Sequence, residues 1–302
     1  MHVPGVPGIF PPQVVADVKA LACELPSSNG VPLSRYSTSE ITREVIATGL
    51  VKTVSFSSVW RWLNEDAIRP WRHRMWIFPR DPDFEAKAAR VLDLYHGIWQ
   101  GQRLGPDEYV LSADEKTSIQ ARLRVHETVP PDSNHPMLVE HEYERKGALA
   151  YLAAWDVHRA KLFGRCESKT GIEPFNRLIE QVMRQQPYCD AKRVFLITDN
   201  GSSHRGQTCV DRLTRAFPTL VPVHLPVHAS WLNQIEIYFS IVQRKILTPN
   251  DFESLLAVET RLLAFQQRYE EIAEPFDWKF TRQDLLNLMD KLSVHEPWKK
   301  AA

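Results

Sequence analysis

Apolar residues fall at helical spacing near the start of the chain and in short, strand-length runs from residue 109 onward, so two architectures follow one another. Val14, Val15, Val18, Leu21, Ala22 and Leu25 predict a helix up to Pro26. After a loop over Ser27–Leu33, the capping-box pattern Ser37-Thr38-Ser39-Glu40 opens a second helix that runs to about Thr48 and stops at Gly49. Ser55 caps a third, Phe56 to about Asn64, with Val59, Trp60 and Leu63 turned toward a core. Helix, glycine turn and short helix outline a helix-turn-helix. A linking helix is expected over Phe84–Trp99. Strands follow at Tyr109–Ala113, Ser118–Val125, Leu149–Trp155 and Lys161–Cys166, then a helix at Pro174–Arg184 and a strand at Arg193–Thr198. A helix at Thr208–Phe217, a strand at Leu220–Leu225 and a long helix at Ser230–Leu247 come next, and Phe252–Glu271 and Arg282–Leu292 read as covering helices. Strands first, then strands alternating with helices, predict an α/β unit: a mixed sheet flanked by helices and preceded by an all-α domain. The expected divisions are an arm at 1–12, a helix-turn-helix domain at 13–78, a linking helix at 79–104, a catalytic domain at 105–250 and a helical cover at 251–302.

Three acidic residues stand out against this pattern. Asp114 closes the run Tyr109–Ala113, Asp199 closes Val194–Thr198, and Glu236 lies on the long helix beside an apolar stripe of Trp231, Ile235, Phe239, Val242 and Ile246. Taken singly, an Asp after an apolar run is a turn or cap residue, and a helical Glu is a solvated one. Together they repel: at ~4 Å and an effective dielectric near 20, each like-charge pair costs about 4 kcal/mol. A site that keeps three such groups together calls for a divalent cation. Oxygen ligands without thiolate favour Mg2+ or Mn2+ over zinc. Two such ions about 3.5–4 Å apart activate an oxygen nucleophile on one side of a phosphorus and stabilise the leaving oxygen on the other.

Composition narrows the partners. The 302 residues carry 37 basic and 37 acidic side chains, so any hold on nucleic acid must come from local patches. The four cysteines form no C-x-x-C pair, which reads as reduced thiols. There is no signal-peptide pattern at the N-terminus and no apolar stretch of membrane-spanning length, so the expectation is a cytoplasmic protein, nucleoid-associated when bound to DNA and without a membrane partner. His224 and His228 have the spacing of a zinc pair on a helix, but Pro222 and Pro226 forbid a helix there.

Three blocks then resemble a family. Ser112-Ala113-Asp114-Glu115-Lys116-Thr117-Ser118-Ile119-Gln120-Ala121-Arg122, Thr198-Asp199-Asn200-Gly201-Ser202-Ser203-His204 and His228-Ala229-Ser230-Trp231-Leu232-Asn233-Gln234-Ile235-Glu236 resemble the signature blocks of DDE transposases, in the bacterial insertion-sequence branch of the mariner-type superfamily. The 36 residues from Asn200 to Ile235 that separate the last two acids suit that superfamily, and the likeness spans residues 12–290. It implies a ribonuclease H-like catalytic domain on a five-stranded mixed sheet, with Asp114, Asp199 and Glu236 as catalytic, metal-binding triad. It also implies nicking of DNA at transposon ends, transfer of the freed 3′-hydroxyl into target DNA, and a homodimer on DNA. Asn200 and His204 are implied as accessory residues. Members of this superfamily pair two helix-turn-helix units through a basic arm; here Val3-Pro4-Gly5-Val6-Pro7-Gly8 carries no Lys or Arg, so a chain with one unit and part of another is expected.

For DNA contacts the candidates are Ser57, Ser58 and Arg61 on the third helix, Arg69, Arg72 and Arg74 in the basic, aromatic strip after it, and Arg244 and Lys245 beyond Glu236. Each has a plainer reading as a helix surface or a solvated basic turn. Two other functions stay open on these residues: a DNA-binding copy that occupies transposon ends without cutting, and a ribonuclease H-like nuclease indifferent to those ends.

Overall fold

In the computed structural model, which describes residues 10–73, 79–201 and 206–294, the helical spacing near the N-terminus becomes three helices: α1 (Pro12–Ala22), α2 (Thr38–Ala47) and α3 (Phe56–Glu65). Proline opens α1, where a missing N–H costs nothing. The capping box of α2 is complete: Ser37 Oγ accepts from the Glu40 N–H at 3.2 Å, and Glu40 Oε2 accepts from the Ser37 N–H at 2.6 Å. Gly49, at φ 76°, takes the left-handed conformation that ends the helix. Ser55 Oγ then caps α3 by accepting from the Ser58 N–H at 3.1 Å. Val18, Ile41, Val45, Val59, Trp62 and Leu63 form the core of this unit, which comprises Met1–Ile77. Trp60 is not in it. Val59, Trp62 and Leu63 make the buried stripe at i, i+3 and i+4, and Trp60, rotated off that stripe, is 48% exposed.

The second unit, Phe78–Ala302, begins with α4 (Phe84–Tyr95) and a small hairpin of β1 (Ile98–Trp99) and β2 (Gln102–Arg103). The linking helix therefore stops four residues short of Trp99, because Gly97, Gln100 and Gly101 all adopt positive φ and turn the chain into the hairpin. The main sheet follows: β3 (Glu108–Leu123), β4 (Glu144–Asp156), β5 (Lys161–Glu167), β6 (Arg193–Thr198) and β7 (Leu220–His224), with α5 (Ile172–Met183) and α6 (Gln207–Ala216) in the crossovers. Its order is β5-β4-β3-β6-β7; β3, β4 and β5 are antiparallel neighbours, and β6 and β7 extend the sheet in parallel from β3. The chain continues through α7 (Ile235–Lys245), α8 (Leu255–Glu270) and α9 (Arg282–Val294).

Alternation along the strands divides the core in two. Val110, Tyr151, Ala153, Trp155, Phe195 and Ile197 face the layer of α4, α7, α8 and α9. Leu111, Ala113, Ala150, Leu152, Val194 and Leu196 face α5 and α6. The two strands expected at Tyr109–Ala113 and Ser118–Val125 are one strand, β3, so Asp114 lies within a strand and does not end one. The polar stretch from Asp114 to Ser118 misleads because it marks where β3 outruns β6. There β3 pairs with β4 alone, and the register shifts between Lys116 and Ile119 with Ser118 at φ 56°. No helix among the described residues is long and apolar enough to cross a membrane.

Candidate active site

The last pair in the β3–β6 ladder is Ser112 with Ile197. Two residues further on stand Asp114, still within β3, and Asp199, the first residue past the end of β6. Both continue the alternation of Val110 and of Phe195 and Ile197, so both belong to the sheet face that α7 covers. Glu236 sits in the first turn of α7. The fold thus brings the three acids from three elements to one face of the sheet.

Each carboxylate is held by the chain around it. Asp114, 6% exposed, accepts from the Glu115 N–H at 2.8 Å and from Asn233 Nδ2 at 3.1 Å. Asp199 accepts from the Gly201 N–H at 2.7 Å. Glu236 is at the surface, yet its carboxyl is pushed above the ordinary value, first by partial desolvation; the Lys116 charge pulls it down and the Asp199 charge pushes it up. Lys116, two residues beyond Asp114 on the same strand face, is lowered by burial and raised in part by Glu236. Lys116 therefore belongs to the site electrostatically, a role that its place in the first sequence block did not suggest.

The connection into α7 is pinned by a buried network. Tyr95 Oη donates to the Leu232 carbonyl at 2.6 Å and accepts from the Gln234 N–H at 3.3 Å. Ser112 Oγ donates to Asn233 Oδ1 and accepts from the Ile235 N–H at 2.9 Å, which caps the helix from a neighbouring strand. Asn233 Nδ2 donates to the Ala113 carbonyl at 3.2 Å as well as to Asp114. The helix carrying Glu236 consequently starts at Ile235 and not at Ser230; residues 230–232 form a separate helical turn, and Asn233 is extended. The Asn233 side chain is spent on β3.

Asn200 turns from Asp199 to the residue that follows β7, with Nδ2 donating to the Leu225 carbonyl at 2.7 Å. An open cleft beside Asp199 is lined by Asn200, Pro226, Val227, His228 and Ser230. His204 and Arg74 lie outside the described residues. On the first unit, Ser57 and Arg61 are exposed on α3, whereas Ser58 is half-buried and engaged with Ser55 at the cap. Arg69 and Arg72 are exposed in the turn after α3. Arg244 and Lys245 are exposed in the last turn of α7, with Arg244 Nη1 donating to Ser240 Oγ at 2.8 Å.

As they stand, no three His, Cys, Asp or Glu side chains among the described residues gather closely enough to hold a metal ion. Asn233 engages Asp114, and the Lys116 charge partly offsets the upward push on Glu236. The donor chemistry nevertheless fits a hard divalent cation: three carboxylates, from β3, the end of β6 and α7, with no thiolate among them.

A five-stranded mixed sheet between helical layers, with acids on its central strands and on a covering helix, defines a ribonuclease H-like domain. Residues 109–258 match the DDE superfamily endonuclease family. Among solved structures, the Mos1 mariner paired end complex with Mn is 13% identical at a TM-score of 0.54, over 94% of this chain and 78% of that one. The Mos1 strand transfer complex gives the same identity, coverage and score. The Mos1 paired end complex with Mg is 12% identical at 0.51, over 97% and 81%. No curated protein matches the chain in sequence. Residues 109–258 thus carry a DDE superfamily endonuclease match, and the fold is like that of the Mos1 mariner structures.

Proposed function

We propose that the protein is an insertion-sequence transposase that cuts DNA phosphodiesters at the ends of its own element and joins the freed 3′-hydroxyl to target DNA. The observation that carries this reading is the placement of Asp114, Asp199 and Glu236 on one sheet face of a DDE-family domain. These three carboxylates would hold Mg2+ or Mn2+, as two ions. Bound there, the metal supplies activation of a water or 3′-hydroxyl and stabilisation of the departing oxygen. The protein's own contribution is orientation. Asn233 and the Glu115 N–H keep the Asp114 carboxylate turned to the site, the Gly201 N–H does so for Asp199, and Ser112 sets the start of α7 and hence the position of Glu236. No covalent protein intermediate is required.

DNA would be held by Ser57 and Arg61 on α3, by Arg69 and Arg72 after it, and by Arg244 and Lys245 along α7. Double-stranded transposon ends and target DNA are the partners in this reading, engaged by a homodimer. The Mos1 structures of like fold are paired end and strand transfer complexes, some with Mn or Mg, which supports extending DNA and a divalent cation to this chain. The test is nicking of a supercoiled plasmid carrying the element's ends, with Mg2+ or Mn2+. End-specific nicking that Asp199→Ala abolishes is expected. Nicking indifferent to the ends would leave a nuclease, and end binding without nicking would leave a non-catalytic DNA-binding copy.

A further inference from the structure

Asp81 lies in the segment that enters the second unit, four residues beyond Ile77, and its side chain is 2% exposed. Part of what it does is local. Oδ1 accepts from the Asp83 N–H at 3.0 Å at the start of α4, and Lys87, one turn into that helix, donates to both carboxylate oxygens at 3.1 and 2.9 Å. A turn and an ion pair before the helix need no more than this. Yet Oδ2 also accepts from the Val227 N–H at 2.9 Å, a residue 146 positions away. Val227 lies in the turn closed by the Ala229 N–H and the Pro226 carbonyl, which holds His228 at φ 62°. That turn is a wall of the cleft beside Asp199 and leads directly into the segment that carries Asn233 and Glu236. Asn200 anchors its preceding residue, Leu225, from the β6 side; Asp81 anchors it from the other.

We propose that Asp81 is a positioning residue for DNA cleavage: its carboxylate latches the Pro226–Ala229 turn to the start of α4, so that the chain entering the second unit sets one wall of the cleft beside Asp199. The inference rests on the cleavage activity proposed above. A buried carboxylate shared between a helix start and a distant turn transmits a displacement of either to the other, and misplacement of a site wall by about 1 Å can cost a hundredfold in rate.

The test compares Asp81→Ala, Asp81→Asn and Lys87→Gln with the wild type, by amide hydrogen exchange at Val227 and by Mn2+-dependent nicking of a supercoiled plasmid carrying the element's ends. In Asp81→Ala, exchange at Val227 is expected to rise about tenfold or more. Its nicking rate at saturating DNA should fall about tenfold to a hundredfold, with half-saturation unchanged within about twofold. Asp81→Asn keeps an acceptor and should recover part of both; Lys87→Gln removes the ion pair but not the latch and should nick nearly as the wild type does. An Asp81→Ala protein with an unprotected Val227 amide and a wild-type rate overturns the proposal. So does a Lys87→Gln protein slowed as much as Asp81→Ala, which would reduce Asp81 to a source of stability. A wild type that does not nick at all overturns the proposed function and the catalytic role of Asp81 with it, while Val227 exchange still decides whether the latch exists.

Discussion

Asn233 is buried and its amide works in three directions, toward Ser112, Ala113 and Asp114. Its partners are 119 to 121 positions away in the chain, so nothing local announces this role; in the sequence Asn233 is only a member of the block that ends at Glu236. Asn233→Ala leaves the Ser112 hydroxyl, the Ala113 carbonyl and the Asp114 carboxylate short of a partner. A loss of about 1–3 kcal/mol in urea unfolding is expected, together with weaker Mn2+ binding by titration. At the opposite end of β3, burial pushes the Glu108 carboxyl up, but the Gly105 N–H at 2.9 Å and the Arg193 and Lys192 charges more than offset it, so its pKa lies below 4.5. A folded value below the unfolded one adds stability above the unfolded pKa and loses it as pH falls through the folded pKa. The stability gap between wild type and Glu108→Gln should therefore be full at neutral pH and shrink from about pH 4.5 downward, measured by unfolding across that range. In the sequence Asp114, Asp199 and Glu236 stand out only as a set, each alone reading as a turn, cap or solvated residue. Lys116 does not stand out there, since its link to Glu236 exists only once α7 lies across β3.

At the scale of elements, periodicity found nearly every helix and strand, and it failed where one element had to respond to another. Asp114-Glu115-Lys116-Thr117 has the composition of a turn and so predicts two strands where there is one; its neighbour β4 keeps those residues extended through Lys116. The bulge that follows puts Ser118 at φ 56°, a conformation that costs a non-glycine residue about 1–2 kcal/mol. Ser118→Ile should lose about that much in thermal unfolding, and Ser118→Gly should be neutral or better. Gly164 in β5 lies opposite Ala153, and a Cβ there would meet the Tyr151 hydroxyl and Gln266, which hydrogen bond to each other at 3.0 Å. Gly164→Ala should push α8 off the sheet and cost about 1–3 kcal/mol; unchanged stability would show that Gln266 swings away freely.

Over the whole molecule, net charge is zero, and affinity for DNA must come from where the basic residues stand. If Arg244 and Lys245 contact phosphates, replacing either with Ala should lower the slope of log affinity against log salt by about one, and Arg61→Ala should do the same for the first unit. A slope that does not move would remove that residue from the interface. The chain's two kinds of periodicity, 3.6 alone before residue 66 and 2 alternating with 3.6 from residue 108, were enough to determine an all-α unit followed by an α/β unit, because burying one face of a helix or a strand is a local demand on sequence. The order and spacing of three acidic blocks were enough to point to the DDE family, because those residues are selected for chemistry and not for packing. Tertiary structure alone decided that β3 runs unbroken past Asp114, that α7 begins at Ile235, and that Asn233, Ser112, Lys116 and Asp81 belong to the same neighbourhood. The first depends on a partner strand some forty residues on and the others on partners more than a hundred residues distant, and a contact across such separations leaves no period in the sequence.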